Sequence, residues 1–141
     1  MIRKASAVWN GNLRDGKGTV TTESGALAQT PYSFRSRFET GTGTNPEELI
    51  AAGHAGCFTM ALSAQLTGAG LTPDTIGTSA ALTLEKLDTG WTVTKIHLDV
   101  TARVPGATSE TFQKLAADAK ANCPISRLLK AEITMTATLG S

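Results

Sequence analysis

Two cysteines, Cys57 and Cys123, and two histidines, His54 and His97, are the side chains of this sequence best suited to chemistry. Two cysteines are too few for a disulfide scaffold, and the spacing of the cysteines and histidines does not match the ligand pattern of a zinc site. No glycine-rich run ends in Gly-Lys-Ser/Thr, so no phosphate-binding loop is indicated. We therefore expect no metal and no cofactor, and interpret the thiols either as redox chemistry or as inert core residues.

Cys57 falls about three turns into a predicted helix, where the helix dipole has little effect on a thiol. A thiol of ordinary pKa, about 8.5, is only a few per cent ionised at pH 7. A reactive Cys57 therefore needs a side-chain cation. One partly buried guanidinium about 4 Å away supplies energy of the required order, about 3.4 kcal/mol for a pKa near 6. In the alternative interpretation Cys57 is simply a small buried hydrophobe.

Cys123 has a different local context, because the run Asn122-Cys123-Pro124 places it at or beside the start of a short helix. A thiol at that position faces backbone N–H groups that lack a helical partner, and such groups favour the thiolate. The alternative is an inert cysteine in a loop. The sequence alone does not show whether Cys123 meets Cys57.

The histidines offer a weaker alternative chemistry. His54 and Cys57 lie three residues apart and share a helix face, and a Cys–His pair would suggest a thiol hydrolase. No third residue is placed to orient the imidazole, which disfavours this interpretation. His97 falls on a predicted strand and is expected to be a surface or interface residue.

The helix that carries Cys57 has the clearest start signal in the chain. Asn45 is predicted as its N-cap, Pro46 suits the first helical position, and Glu48 takes the capping-box position. The helix is expected to run to about Gly68 or Gly70. Its middle is apolar and rich in small residues, among them two glycines that predict close packing and burial over most of its surface.

The flanking segments alternate with the two-residue period of strands. Before the helix, strands are expected around residues 5–9 and 18–22, and Tyr32, Phe34 and Phe38 alternate with Arg35 and Arg37 as a strand with aromatic and basic faces. After it, a hairpin is predicted from strands 78–87 and 91–104, followed by a helix capped by Thr108 or Ser109, a short helical turn 125–130 and a last strand through 133–139. The pattern predicts an α+β fold, with residues 1–141 forming one domain.

Composition excludes several classes of function. The 141 residues carry 13 Lys and Arg against 12 Asp and Glu, for a formal net charge of +1. A nucleic-acid surface or a polybasic membrane anchor needs a dense basic field, which this chain lacks. No signal peptide is visible, and no stretch comes near the roughly 18 apolar residues of a membrane span. The expected location is the cytoplasm.

Two longer runs resemble the OsmC/Ohr family of thiol-dependent peroxidases, and its OsmC branch most closely. They are Arg37-Phe-Glu-Thr-Gly-Thr-Gly-Thr-Asn-Pro-Glu-Glu-Leu-Ile-Ala-Ala-Gly-His-Ala-Gly-Cys57-Phe58 and Asn122-Cys-Pro-Ile-Ser-Arg-Leu-Leu-Lys130. The resemblance implies that Cys57 is the peroxidatic cysteine and Cys123 the resolving cysteine. It implies that Arg37 holds the thiolate and the peroxide, and that Glu47 orients Arg37.

The resemblance also implies an intertwined homodimer, with antiparallel sheets around central helices and two active sites at the subunit interface. Its substrates would be organic hydroperoxides, and its reductant a dithiol, with a lipoylated protein as one candidate. Glu47 and Cys57 are ten residues apart, about 15 Å along a helix. We therefore expect the Arg37–Glu47 pair that meets a given Cys57 to come from the other subunit, or the helix to be bent.

An apolar access route for the substrate, lined by Phe34, Phe38 and Met60, would favour organic peroxides, because it would bury their alkyl tails. The alternative to a peroxidase is a non-catalytic dimeric binding protein with inert buried thiols. Hydrogen peroxide remains open as a second substrate.

Overall fold

The protein is described by a computed structural model that covers residues 1–141. Its contacts divide the chain into two compact units, an N-terminal unit, Met1–Leu49, and a C-terminal unit, Ile50–Ser141. Each unit contains a three-stranded sheet together with helix, so the predicted mixed helix and sheet class is confirmed. The interpretation of residues 1–141 as one domain stays a prediction.

Three antiparallel strands form the sheet of the N-terminal unit, in the order β1 (Ala5–Asn10), β2 (Lys17–Thr22) and β3 (Thr30–Tyr32). The rings of Trp9 and Tyr32 pack against each other with centroids 5.4 Å apart. Gly18 lies beneath them, and a Cβ at Gly18 would come within 2.6 Å of both rings. Glycine at this position therefore lets the two rings lie on the sheet.

The segment after β3 is a helix and not the predicted strand. Helix α1 (Phe34–Phe38) begins after Ser33, whose side chain accepts the N–H of Ser36, while the Ser36 hydroxyl accepts the N–H of Ser33. This reciprocal capping box stabilises the helix start. Phe34 and Phe38 share a face and pack with centroids 5.1 Å apart. A spacing of four residues fits both helical and strand periods, which is why the pattern was misleading.

The helix separates the two arginines that a strand would have placed on one face. Residues two apart on a helix do not face each other. Arg35 pairs at the surface with Glu39 at 3.8 Å, whereas Arg37 reaches Glu47. The predicted common basic face is therefore wrong.

The loop between α1 and the next helix is held by buried polar contacts. The Ser36 hydroxyl donates to the Thr44 carbonyl at 2.8 Å, and the Asn45 amide donates to the Ser36 carbonyl at 3.0 Å. The Thr44 N–H donates to the Pro31 carbonyl at 2.9 Å. Gly43 has a φ of +102°, and a Cβ there would lie 2.5 Å from the same Pro31 oxygen. These contacts fix where the next helix starts.

Helix α2 (Pro46–Gly68) begins as predicted, with the Asn45 side chain accepting the N–H of Glu48 at 2.7 Å. The Glu48 carboxylate accepts from the Thr44 hydroxyl at 2.8 Å. The Glu48 carboxylate thus bonds to Thr44 in place of the reciprocal capping-box bond to the Asn45 backbone. The continuous helix carries Cys57 in its middle, as the sequence predicts.

Only one stripe of α2 is buried, so the prediction of burial over most of its surface is wrong for a single chain. The buried residues recur every four positions and are His54, Phe58, Leu62 and Leu66. The opposite face contains Gly53, Gly56 and Met60, of which Met60 is 77% exposed. A Cβ added at Gly53 or Gly56 would meet no atom of a neighbouring element within 4 Å.

By length and composition alone, α2 is also long and apolar enough to cross a membrane, which corrects the expectation that no stretch comes near this limit. One such helix is weak support for a membrane span, because the core helix of a soluble protein passes the same test. In this chain the apolar residues of its buried stripe, Phe58, Leu62 and Leu66, belong to the hydrophobic core of the C-terminal unit.

The C-terminal unit is built on a sheet in the order β4 (Thr75–Leu87), β5 (Gly90–Arg103) and β6 (Glu132–Leu139). β4 and β5 form the predicted hairpin. β6 runs parallel to β5, so the antiparallel sheets that the resemblance implied are wrong for this pair of strands. A parallel pair needs a long crossover, and here the crossover contains two helices. They are α3 (Ser109–Asn122), capped by Thr108, and α4 (Pro124–Leu128).

The core of this unit lies between the sheet and the helices and contains the predicted apolar residues. The inward face of β5 and the apolar face of α3 are both buried, as the periodicity indicated. The buried members are Ile96, Leu98, Val100, Ala102, Val104, Phe112, Leu115, Ala116 and Ala119, together with Cys123 and the apolar residues of the α2 stripe.

We predict that Gly43→Ala lowers the free energy of unfolding by about 2–3 kcal/mol, through a strained positive φ and a clash that displaces the Pro31 carbonyl from its hydrogen bond. Gly25→Ala is the matched control, since Gly25 also has a positive φ of +79° but nothing within 4 Å of an added Cβ. Urea unfolding of both variants measures the difference. Equal losses would contradict a role for the close approach to Pro31.

Candidate active site

Arg37 and Glu47 form an ion pair in the N-terminal unit. The Arg37 Nε donates to Glu47 Oε1 at 2.9 Å, and Nη2 lies 2.8 Å from the same oxygen. The Glu47 side chain is only 14% exposed, and its second oxygen, Oε2, is buried without a hydrogen-bond partner. The guanidinium also lies over the Phe38 ring, 5.0 Å from its centroid. Arg37 is thus held in a defined orientation and remains partly accessible.

A pocket of about 230 Å³ opens beside this arginine. Its walls are mostly aromatic or aliphatic and comprise Trp9, Leu13, Tyr32, Ser33, Phe34, Arg37 and Phe38. Phe34 and Phe38, which the sequence analysis singled out, line it together with Arg37. Met60 belongs to the C-terminal unit and is exposed on α2. The pocket combines one cation with an apolar wall.

The two cysteines meet in the C-terminal unit, which the sequence could not show. The Cys123 thiol donates to the Cys57 sulfur with the two Sγ atoms 2.7 Å apart, and both cysteines are free. Cys123 is completely buried, whereas Cys57 is half-buried. A bond between the two sulfurs is about 2.05 Å long, so its formation requires a movement of less than about 1 Å.

The surroundings of Cys57 do not by themselves activate its thiol. Burial raises the pKa of Cys57 above its ordinary value, and the hydrogen bond from Cys123 adds to this rise. The backbone N–H of Ile125 donates to the Cys57 sulfur and opposes the rise. These neighbours include no cation. A nucleophilic Cys57 therefore needs a positive charge from elsewhere.

Cys123 is the N-cap of α4, as predicted, but its thiol does not cap the helix. Its side chain makes no capping hydrogen bond. The N–H of Ile125, two residues into α4, instead faces the sulfur of Cys57. The predicted contact between helix-end N–H groups and Cys123 is therefore wrong, because the thiol of Cys123 turns toward Cys57.

The two histidines do not act as the hydrolase alternative would require. His54 is completely buried, and its Nε2 shares a hydrogen bond of 2.8 Å with Ser126 Oγ, while its Nδ1 is buried without a partner. Neither ring nitrogen is bonded to Cys57. His97 lies on the outer face of the sheet and bonds to Thr134 and Thr136. The sequence did not predict a role for Ser126. Its only indication of one was that Ser126 lies shortly after Cys123 and Pro124.

A family model for OsmC-like proteins matches residues 39–138. The chain belongs to the OsmC-like family. It is 52% identical over 139 residues to Peroxiredoxin OsmC of Escherichia coli, covering 99% of this chain and 97% of that protein. It is 32% identical over 100 residues to an organic hydroperoxide resistance protein of Xanthomonas axonopodis pv. citri, covering 70% of this chain and 68% of that protein.

Solved structures of the OsmC-like and Ohr groups share the fold. An OsmC-like protein from Mycoplasma pneumoniae has a TM-score of 0.79 at 16% identity, with 100% of this chain and 99% of that chain covered. The organic hydroperoxide resistance protein OhrB of Bacillus subtilis has a TM-score of 0.68 at 24% identity, with 97% of this chain and 98% of that chain covered.

No three His, Cys, Asp or Glu side chains of the chain cluster where they could hold a metal ion.

Burial lowers the pKa of His54 below its ordinary value of 6.5, which predicts an acid-sensitive fold. Below pH 6.5 the unfolded chain binds a proton at His54 that the folded chain does not yet bind. The free energy of unfolding is therefore retained above pH 6.5 and decreases as the pH falls below it. We expect the melting temperature to fall less for His54→Gln than for the wild type between about pH 7.5 and about pH 5.5. His97→Gln is the control, because it replaces the chain's other histidine, which is only half-buried. Parallel curves for all three proteins would contradict the assignment to His54.

Proposed function

We propose that this protein is a thiol-dependent peroxidase that reduces organic hydroperoxides to alcohols in defence against oxidative or osmotic stress. The observation that carries the proposal is the contact between the Cys57 and Cys123 sulfurs, 2.7 Å apart and both free. The names of its relatives, Peroxiredoxin OsmC and organic hydroperoxide resistance protein, support the same reaction class. Thiol groups must be reduced for each cycle, so we assign the protein to the cytoplasm.

The catalytic cycle uses the two sulfurs in turn. The Cys57 thiolate attacks one peroxide oxygen and breaks the O–O bond, which gives a sulfenic acid on Cys57 and, after protonation, an alcohol. The Cys123 sulfur then attacks the Cys57 sulfur, and one water leaves as the disulfide forms. An external dithiol, with a lipoylated protein as one candidate, reduces the disulfide by exchange and is itself oxidised.

Arg37 supplies the charge that Cys57 lacks. Because burial raises the pKa of Cys57, the thiolate needs a cation, and a guanidinium held by Glu47 is oriented before the reaction begins. Such a cation also stabilises the negative charge that develops on the leaving oxygen. In this proposal Cys57, Cys123, Arg37 and Glu47 form the catalytic set.

We assign Arg37 to the Cys57 of a second subunit. Glu47 and Cys57 are ten residues apart on α2, about 15 Å along the axis, which is far for one arginine to bridge. The exposed face of α2 supports a homodimer, since Gly53 and Gly56 leave open space that a second copy can fill closely. Met60, 77% exposed on that face, would also become buried.

The pocket beside Arg37 favours organic substrates over hydrogen peroxide. Its volume of about 230 Å³ and its aromatic wall suit the alkyl or aryl group of a hydroperoxide, whose burial contributes about 25 cal/mol per Å² of apolar surface. Arg37 at the same pocket would meet the peroxide oxygens. Hydrogen peroxide gains nothing from the apolar wall.

We predict that one equivalent of cumene hydroperoxide converts the reduced protein into a form that lacks two hydrogens and contains an intrachain Cys57–Cys123 disulfide. Cys57→Ser should abolish peroxide consumption in the presence of dihydrolipoamide, because the nucleophile is lost. Cys123→Ser should consume peroxide once and accumulate oxygen on Cys57. Intact-mass and peptide mass spectrometry distinguish these products. Two free thiols in the treated wild type would instead favour a non-catalytic binding protein.

Mixed dimers test the assignment of Arg37. We predict that Arg37→Ala and Cys57→Ser are each inactive as homodimers, whereas a mixed dimer, co-expressed with two tags and purified on both, has one intact site. That site combines Arg37 of one subunit with Cys57 of the other. Peroxide consumption per mixed dimer should reach about half that of the wild type, because one of two sites is restored. An inactive mixed dimer would place Arg37 and Cys57 in the same subunit.

A further inference from the structure

The pair His54 and Ser126 joins α2 to the segment that carries Cys123. Their side chains lie 72 residues apart in sequence and 2.8 Å apart in space. His54 is completely buried and Ser126 is 8% exposed. His54 is the one polar member of the buried stripe of α2, whose other members are Phe58, Leu62 and Leu66.

Stability alone gives a poor reason for this histidine. Its Nδ1 is buried without a partner, and burial lowers its pKa. An unpartnered buried polar group is destabilising, whereas an apolar side chain of similar shape would fit the stripe without that cost. What the imidazole provides, and an apolar residue does not, is a directional bond to Ser126.

That bond joins the same two elements as the contact between the thiols. His54 and Cys57 are three residues apart on α2, and Cys123 and Ser126 are three residues apart at the start of α4. The two elements are therefore joined by two neighbouring contacts, His54–Ser126 at 2.8 Å and Cys57–Cys123 at 2.7 Å. The N–H of Ile125, between them, donates to the Cys57 sulfur.

α4 needs such a contact to keep its place. It has five residues, too few for a helix that is stable by itself, and its N-cap side chain makes no capping bond. Ile125 and Leu129 pack partly against the core, but apolar contacts are not directional. The hydrogen bond to His54 restricts both the rotation and the shift of α4 along α2.

We propose that His54 is a positioning residue for Cys123: its hydrogen bond to Ser126 holds α4 so that the Cys123 sulfur stays in line with Cys57 after peroxide attack. This inference rests on the proposed function. The Cys57 sulfenic acid has two fates, condensation with Cys123 to a disulfide and water, or reaction with a second hydroperoxide to a sulfinic acid and an alcohol. A fixed α4 favours the first fate.

Rapid-quench mass spectrometry separates the two steps. After one equivalent of cumene hydroperoxide, Ser126→Ala and His54→Leu should form the disulfide about tenfold more slowly than the wild type, the effect expected for one lost hydrogen bond. The rate of peroxide consumption should change by less than about threefold, since neither residue is placed at the peroxide. With excess peroxide, both variants should gain two oxygens on Cys57. His54→Gln, which can place an amide nitrogen near Ser126, should restore disulfide formation.

Thr59→Val is the matched control, because Thr59 is a hydrogen-bonded residue of α2 close to Cys57 that faces Thr78 of β4 instead of α4. It should form the disulfide at the wild-type rate. Disulfide formation at the wild-type rate in Ser126→Ala would overturn the proposal. So would an equal slowing of peroxide consumption and disulfide formation, or a slowing of Thr59→Val as large as that of Ser126→Ala. If His54→Leu fails to fold, Ser126→Ala and His54→Gln decide the matter. Absence of a disulfide in the wild type would instead overturn the proposed peroxidase cycle.

Discussion

Burial of one apolar stripe of α2 fixes the rotation of that helix, and the rest of the candidate site depends on this rotation. Phe58, Leu62 and Leu66 enter the core of the C-terminal unit, so the residues between them take defined directions. Cys57 comes to the margin of the core against Cys123, and the glycine-rich face turns outward. A different rotation would bury Cys57 away from peroxide or remove it from its partner.

The same burial creates an electrostatic problem for a reactive thiol. Desolvation raises the pKa of Cys57, and the one helix-end N–H that faces its sulfur only opposes that rise. The matching cation lies in the N-terminal unit, where Arg37 is held by Glu47. In our proposal a second subunit brings the cation to the thiol, so an assembled dimer is needed for the thiolate to form.

The distribution of polar groups separates two tasks in the proposed cycle. Attack on the peroxide needs charge, which the pair of Arg37 and Glu47 provides beside an apolar pocket. Attack of Cys123 on the Cys57 sulfenic acid needs a fixed position of the Cys123 sulfur. In our proposal the contact of His54 with Ser126, beside the two sulfurs, provides it. The first set is partly accessible and the second is buried, as expected if one receives substrate and the other orders the chain.

Local patterns in the sequence determined most of the elements. The cap at Asn45, the α2 helix, the β4–β5 hairpin and the buried faces of β5 and α3 all follow from capping chemistry and periodicity, which act over a few residues. Resemblance of the motifs around Cys57 and Cys123 indicated the family. The same local reasoning failed for α1, because Phe34 and Phe38 fit both periods. The antiparallel sheets that the resemblance implied were wrong for β6, which pairs parallel with β5. Tertiary structure alone decided that the two sulfurs meet, that Ser126 bonds to His54 and that one face of α2 stays open, because each depends on packing between residues far apart in the chain.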